Sequence, residues 1–517
     1  MTGAHGTQKR AVDLPRKINC APGHELGPFE AALMRGAADT MSRSSPVGGS
    51  TAMALRLVGH RLAVAGLGIA LLLPAQLPVT VAAVPGPDGA ASAVGQFALV
   101  DPIATAVDGG GGTVVAGGFR GTAVFGDTTL VSTARQEIFV ARLAPSGTWS
   151  WAVRVAGEAA DTADVRAVAV DKGGNVYVTG RFSGRQAFGS TLLTSTRSGG
   201  VSAMYVAKLS PQRTWLWARK QPGGYAGDGG VSLALDRLGR PVVVGEIGGR
   251  LMVARLSTKG KWRSRVWVPG AADGALALDR RDNVYLTGSF SGRLKFGRTT
   301  LVAVQSDPER SARDVFVAKL RPAGSWAWAV RGGGTSDEQA TAIARDPKGN
   351  LLVTGVLWGP SARFGTSNVT SQGLSDVFVA KLDSRGRWRW AVAGGGADYD
   401  APQSIAVAAA GWAVVTGYVH GTATFGSSTV TGLESNGAGA FVARVGPTGA
   451  WAWATTAGPP EEPNFGWSVQ VTSSGVVEVT GGWPGSLDVG PTTSASGWLW
   501  VSRLSPSGTW IPVVAPS

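Results

Sequence analysis

The side chains that most often carry out chemistry are few in this chain of 517 residues. It has one cysteine, Cys20, and four histidines, of which His5, His24 and His60 lie before residue 84. The fourth, His420, has no evident acidic or nucleophilic partner in the sequence. Zinc sites, disulfides, thiol catalysis and most Ser-His-Asp arrangements need more cysteine or histidine than this. We therefore predict no catalytic residue, no cofactor and no metal site.

Acidic and aromatic residues outside the regular strand patterns are the remaining candidates for ligand binding. Acids recur in the loops that lead into each repeated unit, at Asp101, Asp164, Asp228, Asp273, Asp337, Asp400 and Glu462. They are either solvated loop residues or the lining of a mouth that attracts a basic group or a metal-bridged ligand. Three tryptophans, Trp358, Trp467 and Trp483, lie outside the regular tryptophan positions and suit sugar stacking. The candidate binding residues are therefore Asp164, Asp228, Asp273, Asp337, Asp400, Trp358, Trp467 and Trp483.

The N-terminal region has the features of an export signal. Arg56 and Arg61 precede an uncharged, largely apolar run at 62–73, and small residues at 81–83 form a possible cleavage site. That run is too short to cross the roughly 30 Å of a bilayer core. We expect residues 1–52 to be a disordered leader or a misassigned start, and residues 53–83 to be a signal peptide. A linker at 84–100 would then precede a folded domain at 101–517 that is extracellular, periplasmic or on the cell surface, without a transmembrane span.

Repetition dominates everything after the predicted linker. A strand ending in Val-Thr-Gly or a close variant recurs every 43 to 67 residues, with its last glycine at Gly117, Gly180, Gly245, Gly288, Gly355, Gly417 and Gly481. In the second unit, alternating residues predict strands at 167–171, 176–179, 205–209 and 215–218, which we name A, B, C and D. With 76 glycines and only 16% charged residues, the composition favours a β-rich, turn-dense protein. Seven units of four antiparallel strands predict an all-β fold, a single seven-bladed β-propeller.

The third unit is shorter because a tight hairpin near residue 248 joins its strands B and C. Five other units carry about twenty additional residues at this position, which we interpret as an insertion and not as a core strand. Each of these insertions contains a Phe-Gly pair, at Phe125, Phe188, Phe296, Phe364 and Phe425.

The repeated residues resemble a known family. The pattern Asp-x-x-Gly-Asn-x-Tyr-Val-Thr-Gly is complete at 171–180, and Phe-Val-Ala-Lys-Leu occurs at 316–320 and 378–382. Together they resemble the SBBP bacterial β-propeller repeat. The resemblance covers about four fifths of the chain, and it implies a propeller fold on an exported or surface protein. It carries no family catalytic residues that could be transferred to this sequence.

Strand C ends with a cation in every unit, and a tryptophan follows seven residues later. The cations are Arg142, Lys208, Arg255, Lys319, Lys381, Arg444 and Arg503, and the tryptophans are Trp149, Trp215, Trp262, Trp326, Trp388, Trp451 and Trp510. We predict that each pair lies opposite across strands C and D, with the cation over the indole, as a structural feature and not as a polyanion site. The turn at 382–386 is also similar to the tryptophan-docking repeats of quinoprotein propellers, although no quinone and calcium pocket is evident.

Antiparallel order places the A–B and C–D turns on one face of the disc, and the longer B–C and D–A connections on the other. We predict that strand A is innermost and that recognition resides on the long-loop face. The leading interpretation is an exported, monomeric, non-enzymatic scaffold that binds a protein or an envelope polysaccharide, without specific nucleic-acid binding. A glycan-active hydrolase or lyase and a structural cell-surface or matrix component are the alternatives. Paired acids such as Asp398 and Asp400 are poor support for a hydrolase, because neighbouring loop residues do not give the opposed geometry of glycoside cleavage.

Overall fold

The computed structural model describes residues 93–195, 201–221, 227–304, 312–432, 437–458, 463–483 and 497–511, all within the compact unit Pro78–Ser517. Side chains are described from residue 104 onward, except at 483, 497 and 498. The described residues form strands and turns without any helix, so none of them belongs to a helix that could cross a membrane. The predicted leader and signal peptide lie outside this range.

The strands form seven antiparallel blades, and the prediction of a seven-bladed β-propeller is confirmed. Strands A to D of the first three blades, with the hairpins inserted between strands B and C, have the following bounds. Blade 1 contains β1 (Ala93–Val107), β2 (Thr113–Arg120), the hairpin β3 (Thr122–Phe125) and β4 (Thr128–Val131), β5 (Glu137–Leu143) and β6 (Trp149–Gly157). Blade 2 contains a divided strand A, β7 (Thr162–Ala163) and β8 (Ala167–Val170), then β9 (Val176–Ser183), the hairpin β10 (Arg185–Phe188) and β11 (Thr191–Thr194), β12 (Ala203–Leu209) and β13 (Trp215–Gln221). Blade 3 contains β14 (Gly229–Leu235), β15 (Pro241–Glu246), β16 (Arg250–Leu256) and β17 (Trp262–Pro269).

The other four blades repeat this plan. Blade 4 contains β18 (Ala271–Leu278), β19 (Val284–Ser291), the hairpin β20 (Arg293–Phe296) and β21 (Thr299–Val302), β22 (Arg313–Leu320) and β23 (Trp326–Gly334). Blade 5 contains β24 (Glu338–Arg345), β25 (Leu351–Leu357), the hairpin β26 (Ser361–Phe364) and β27 (Ser367–Thr370), β28 (Asp376–Leu382) and β29 (Trp388–Gly396). Blade 6 contains β30 (Asp400–Val407), β31 (Ala413–His420), the hairpin β32 (Thr422–Phe425) and β33 (Ser428–Thr431), β34 (Ala438–Val445) and β35 (Trp451–Ala457). Blade 7 contains β36 (Phe465–Val471), β37 (Val477–Trp483), β38 (Gly497–Leu504) and β39 (Trp510–Ile511).

The hydrophobic core lies between the blades and not within single blades. Each of the seven main clusters of buried side chains joins two adjacent blades, and the series closes with a cluster that joins blades 7 and 1. Strands B and C are therefore covered on both faces, as in β12, β25 and β28, where every residue is buried. Each strand A contacts the strands A of both neighbouring blades. Strand A is innermost, as the sequence predicts.

The chain closes the ring with its N-terminal strand. The first part of β1, Ala93–Phe97, pairs with β38 of blade 7, and the second part pairs with β2 of blade 1. Only Trp510 and Ile511 of the C-terminal segment pair with the other end of β38. The outer strand of blade 7 is thus contributed by both ends of the described chain. The structure therefore begins at Ala93, within the segment that the sequence suggested was a linker at 84–100.

The Phe-Gly insertions form two-stranded hairpins that extend the preceding blade. In three cases the hairpin pairs directly with the outer strand of that blade: β10 with β6, β26 with β23, and β32 with β29. All five phenylalanine rings are buried, and each packs edge-on against the first tryptophan of its own strand D at 4.7–5.1 Å between ring centroids. The insertions are therefore part of the core and not free loops.

Glycine-rich segments at the ends of two outer strands make room for these hairpins. A Cβ atom at Gly394 would lie 2.4 Å from the ring of Phe425, and one at Gly396 would lie 2.1 Å from the carbonyl oxygen of Thr422. Gly332 and Gly334 have the same relation to β26. The glycines that seem from the sequence to begin flexible inter-blade loops are packing positions, because any side chain there would overlap the next hairpin.

The predicted pairing of strand C cations with tryptophans is wrong by one register step. Five residues, 383–387, separate Leu382 from its partner Trp388, where the sequence predicts four, and a β-bulge then places Lys381 opposite Trp390. In all seven blades the residue after the cation faces the tryptophan seven positions beyond that cation. The bulge adds one residue to strand D, which the sequence spacing cannot reveal.

Candidate functional site

The recurring cations are held by the A–B turn of their own blade. Lys381 Nζ lies 3.0 Å from Asp346 Oδ2 and 6.0 Å from the Trp390 ring centroid. Lys208 and Lys319 instead lie over strand B tyrosines, each at 4.9 Å. Three further pairs with acids of A–B turns occur, Arg142–Asp108, Lys208–Asp171 and Lys319–Asp279, and Arg503 pairs with Glu478 of strand B. These contacts give five of the seven cations a structural role and leave little of their charge for a ligand.

The second tryptophan of strand D joins one blade to the next. Trp328 Nε1 donates a hydrogen bond of 3.3 Å to the carbonyl oxygen of Ser384, in the C–D turn of blade 5. Gly386 of that turn has a φ of 83°, and a Cβ there would lie 2.9 Å from the indole. Trp217, Trp390 and Trp453 make the equivalent contacts with Thr258, Pro447 and Pro506. The indole rings thus dock on turns of the neighbouring blade, which accounts for glycine at these turns.

Three of the predicted acids are buried and satisfied by local hydrogen bonds. Asp164 accepts hydrogen bonds from the backbone N–H and the guanidinium of Arg181. Asp228 accepts one from Gly248 N–H, and Asp400 accepts from Gly396 and His420 N–H. All three residues are 3% exposed or less. Their first role is to fix the D–A connections, because each satisfies backbone donors that would otherwise be unpaired.

Asp400 belongs to a repeated arrangement of buried carboxyl groups around the strand D glycines. A Cβ at Gly395 would lie within 3 Å of Asp376 and Asp400 side-chain oxygens, and Gly333 has the same relation to Asp314 and Glu338. Burial, together with the negative charge of neighbouring acids and against hydrogen bonds from backbone amides, raises the pKa of Asp400 to about 7 and that of Glu338 to about 8. Each of these two carboxyl groups is therefore at least partly protonated near neutral pH.

Charged side chains from blades 2 to 4 converge at the long-loop end of the channel. We name Arg166, Asp228, Glu246, Asp273 and Arg313 the mouth cluster. Arg313 lies 3.6 Å from Asp273, and the side chains of Arg166, Asp273 and Arg313 are 36%, 32% and 40% exposed. Burial, followed by the negative charge of Asp273, raises the pKa of Glu246 to about 7, against the influence of Arg166. A carboxyl group with this pKa in a partly open, mixed-charge site is a common feature of functional sites.

Asp273 is the member of this cluster with an unusual backbone. Its φ is 57°, a left-handed conformation that is costly for a residue other than glycine. It lies at an irregularity between β18 and β19, where the register shifts between Ala272 and Ala275. Burial raises its pKa, although the charge of Arg313 opposes this. The strained turn directs a carboxyl group towards the channel mouth, where the other blades have different residues.

Sequence reasoning identified Asp228 and Asp273 but missed Glu246, Arg166 and Arg313. Glu246 follows the glycine that ends the recurring strand B phrase, whereas the same position holds Val356 and Tyr418 in blades 5 and 6. A departure from the repeat at that position was therefore the available signal. Asp337 lies on the same face, where its Oδ1 accepts a hydrogen bond of 2.9 Å from Arg313 N–H.

The predicted tryptophans have three different outcomes. Trp358 is half-buried, lies 5.9 Å from the ring of Tyr399, and buries an Nε1 that has no hydrogen-bond partner among the described residues. Trp467 is half-buried against the cluster that joins blades 7 and 1. The side chain of Trp483, like Glu462 and the side chain of Asp101, lies outside the described part of the chain. Trp358 is thus the tryptophan whose surroundings best fit a ligand contact.

Aromatic residues continue from Trp358 around the blades 5 to 7 side of the channel. Tyr418 lies 5.1 Å from Phe465 and 5.5 Å from the ring of His420. His420 is half-buried, and its Nδ1 lies 2.8 Å from the carbonyl oxygen of Tyr399. The sequence offers this ring no evident acidic or nucleophilic partner, and the contact that it makes is with a backbone carbonyl oxygen, because β31 brings it against the loop before β30. Among the described residues, no group of three or more His, Cys, Asp or Glu side chains is arranged to hold a metal ion.

Comparison with known proteins supports the architecture at a coarse level. No family model matches the chain. An uncharacterised WD repeat-containing protein of Acanthamoeba polyphaga mimivirus is 27% identical over 127 residues, which is 23% of this chain and 9% of that protein. The match therefore spans about a tenth of the length of that relative, and it agrees with the repeat nature of the chain.

Solved structures show likeness of fold alone. A polysaccharide lyase described as an ulvan lyase is 11% identical, with a TM-score of 0.44 over 81% of this chain and 96% of its own. A catalytically inactive virginiamycin B lyase from Staphylococcus aureus is 8% identical, with a TM-score of 0.41 over 79% and 94%. A protein of unknown function from Bacteroides caccae is 11% identical, with a TM-score of 0.35 over 62% and 89%.

Proposed function

We propose that this chain is an exported, monomeric, non-enzymatic β-propeller scaffold, related to SBBP repeat proteins, that binds a protein or an envelope polysaccharide through its long-loop face. The observation that supports this proposal is the mouth cluster, in which two guanidinium groups are more than one third exposed and the carboxyl group of Asp273 is 32% exposed, beside a buried network. Partly exposed charges on a rigid scaffold can bind a ligand without a large cost of ordering.

The aromatic side of the mouth complements these charges. Trp358 presents a half-buried ring next to Tyr399. Its Nε1 is buried without a hydrogen-bond partner among the described residues, so the exposed part of the ring, and not the N–H group, is available to a ligand. A sugar chain or a protein loop with basic and hydroxyl groups would use both sides of the mouth.

The test is equilibrium binding to a panel of polysaccharides and envelope proteins, with turnover measured in the same samples. Saturable binding without turnover is expected, and the double variant Glu246→Gln, Asp273→Asn should weaken it. Asp127→Asn, which removes an exposed charge from the tip of the first hairpin, serves as the control. Equal binding by the wild type and the double variant would contradict a ligand site at the mouth cluster.

Shortening the Phe-Gly insertions, which belong to the B–C connections of the long-loop face, would affect folding as well as recognition. Each insertion places a buried phenylalanine against a strand D tryptophan, so its removal would open the core. Point substitutions of exposed side chains separate recognition from folding.

A polysaccharide lyase is the second candidate, and Glu246 is the observation that favours it. A carboxyl group with a pKa of about 7 can accept a proton at neutral pH, and Arg166 and Arg313 could neutralise the carboxylate of a uronic acid. The same polysaccharide panel distinguishes the candidates, because β-elimination produces unsaturated sugars that absorb ultraviolet light. Formation of such products by the wild type, and not by Glu246→Gln, would replace the scaffold proposal with the enzyme.

A further inference from the structure

The exposed cations of the short-turn face lie in four adjacent blades, where blade 2 contributes Lys172 and Arg213 and blades 3 to 5 contribute the others. We use the term basic turn surface for the exposed lysines and arginines in the A–B and C–D turns of blades 3 to 5. They are Arg237, Lys259, Lys261, Arg280, Arg281, Arg321, Lys348, Arg385 and Arg387. The equivalent turns of blades 6, 7 and 1, at 408–412, 446–450, 472–476, 505–509, 108–112 and 144–148, contain no lysine or arginine. The positive charge is therefore concentrated on one side of the disc.

Turn geometry does not require these cations. In blade 5 the C–D turn closes with a hydrogen bond of 2.9 Å from Asp383 N–H to the carbonyl oxygen of Arg387. In blade 7 the equivalent hydrogen bond, of 2.8 Å, runs from Ser505 N–H to the carbonyl oxygen of Thr509. Both turns also have a glycine with a φ near 90°. The same backbone therefore forms with serine and threonine, and the arginines of blades 3 to 5 need another explanation.

The acids of these turns do not neutralise the surface. Asp236, Asp346 and Asp383 are buried and accept hydrogen bonds from the amides of their own turns. Arg387 is paired with Asp383 and Arg237 with Asp282, but Arg281 and Arg385 form no ion pair within the described residues. Several guanidinium and ammonium groups therefore remain available to an anion.

A pocket of about 530 Å³ lies within this surface, between blades 4 and 5. Arg281, Lys319, Arg321 and Arg385 line it together with Trp328 and Ser384, and no acid is among its lining residues. A pocket of this volume accommodates a small ligand such as one or two sugar units. Arginine binds carboxylate and sulfate groups in a bidentate manner, and the edge of an indole can pack against a sugar ring.

We propose that the basic turn surface binds a linear acidic polysaccharide, with an acidic sugar unit in the pocket between blades 4 and 5. A chain of regularly spaced carboxylates or sulfates matches a row of cations that spans three blades. Single-stranded nucleic acid fits less well, because it needs free aromatic faces for its bases. Trp328 is docked on Gly386, and Trp262 is covered by Arg265 at 4.6 Å. This site is on the opposite face from the mouth cluster and does not depend on the proposed function.

The test compares two variants that each remove three positive charges, one from the turns of blades 4 and 5 and the other from the inserted hairpin of blade 4. Arg281→Ser, Arg321→Ser and Arg385→Ser together introduce the residues that blade 7 has at the corresponding turn positions, Ser474, Ser505 and Ser507. The control variant, Arg293→Ser, Lys295→Ser and Arg298→Ser, removes three exposed cations from the hairpin β20–β21. Circular dichroism and thermal unfolding of each variant verify that the fold is retained.

Binding of the full chain is measured with polygalacturonate, dextran sulfate, neutral dextran and oligothymidylate at two salt concentrations. The wild type should bind polygalacturonate or dextran sulfate, more weakly at higher salt, and should not bind neutral dextran. The turn variant should bind at least about tenfold more weakly, whereas the hairpin variant should change by less than about twofold. The preferred polymer identifies carboxylate or sulfate as the anion.

Three results would overturn the proposal. One is the absence of binding to both acidic polysaccharides, and another is an equal loss in the two variants, which would indicate net charge alone. The third is tighter binding of oligothymidylate than of either polysaccharide, with loss in the turn variant, which would assign the surface to nucleic acid. Asp127→Asn, which changes an exposed acid outside both sites, should leave polyanion binding unchanged.

Discussion

The packing of an inserted hairpin on the preceding blade can be measured with Phe425 and Gly394. The Phe425 ring is fully buried, stacks on Phe441 at 4.8 Å and meets Trp451 edge-on at 5.0 Å. Phe425→Ala removes these contacts and leaves a cavity, so we expect a loss of about 3–5 kcal/mol in the free energy of unfolding. Gly394→Ala places a Cβ 2.4 Å from the present ring position and should cost about 1–3 kcal/mol by overpacking.

The double variant gives the decisive result. When Phe425 is already alanine, the Cβ of Gly394→Ala enters the space that the ring vacated, so the second substitution should cost little or should stabilise. We expect the double variant to be about 1–3 kcal/mol more stable than the sum of the single effects predicts. Urea unfolding, followed by tryptophan fluorescence and circular dichroism, measures each free energy. Thr429→Ala, at an exposed position of the same hairpin, should change stability by less than about 0.5 kcal/mol.

Additive single effects would refute this reasoning, because they would mean that the glycine and the ring do not compete for one space. A Phe425→Ala variant as stable as Thr429→Ala would show in addition that the hairpin is not part of the core.

Three further predictions follow from other contacts. Because burial raises the pKa of Glu338 from 4.5 to about 8, the folded state binds more protons than the unfolded state between these values, and stability should fall as pH rises from about 4.5 to 8. Glu338→Gln should reduce that fall in urea unfolding at several pH values, and an unchanged pH dependence would contradict the assignment. Gly386→Ala should lower the thermal stability more than Gly411→Ala does. Both glycines have a φ near 85°, but only a Cβ at position 386 would meet another side chain, that of Trp328 at 2.9 Å. Equal effects of the two substitutions would mean that backbone strain alone matters. Removal of residues 1–92 should preserve the fold, whereas removal of residues 1–97 also takes away the strand that closes blade 7. The loss of five pairing positions should lower the free energy of unfolding by about 3–7 kcal/mol, as measured by urea unfolding. Equal stability of the two truncated chains would exclude this closure.

The repeated strand phrase was sufficient to predict the number of blades. Its glycine recurs because a Cβ there would overlap the backbone of strand A, as at Gly180, where Asp164 O would lie 2.2 Å away, and at Gly355, where Gln339 O would lie 1.9 Å away. A constraint of this kind acts within one blade, so it leaves a local trace in every repeat. The sequence could therefore reveal strand order, the innermost strand and the absence of an insertion in blade 3.

The candidate site was only partly predictable for a related reason. Asp273 was identified because acids recur before strand A, but its partner Arg313 begins strand C and is 40 positions away in the sequence. Glu246 belongs to the preceding blade, and its raised pKa comes from burial that only the packed blades create. Conversely, Asp400 seemed equivalent to Asp273 in the sequence, and the fold buried it under its own loop.

The sequence by itself determined the parts of this protein that each repeat must satisfy independently: seven units, four strands each, turns with glycine, and a chain with almost no thiol or imidazole chemistry. Tertiary structure decided what the spacing of residues does not record: the register of strands C and D that moves each cation away from its expected tryptophan, the hairpins that become core, and the closure by Ala93–Phe97. It also decided which charges remain exposed, both at the mouth cluster and on the basic turn surface. The physical reason is that burial and register between blades are set by packing across gaps of about sixty residues, which local spacing does not record.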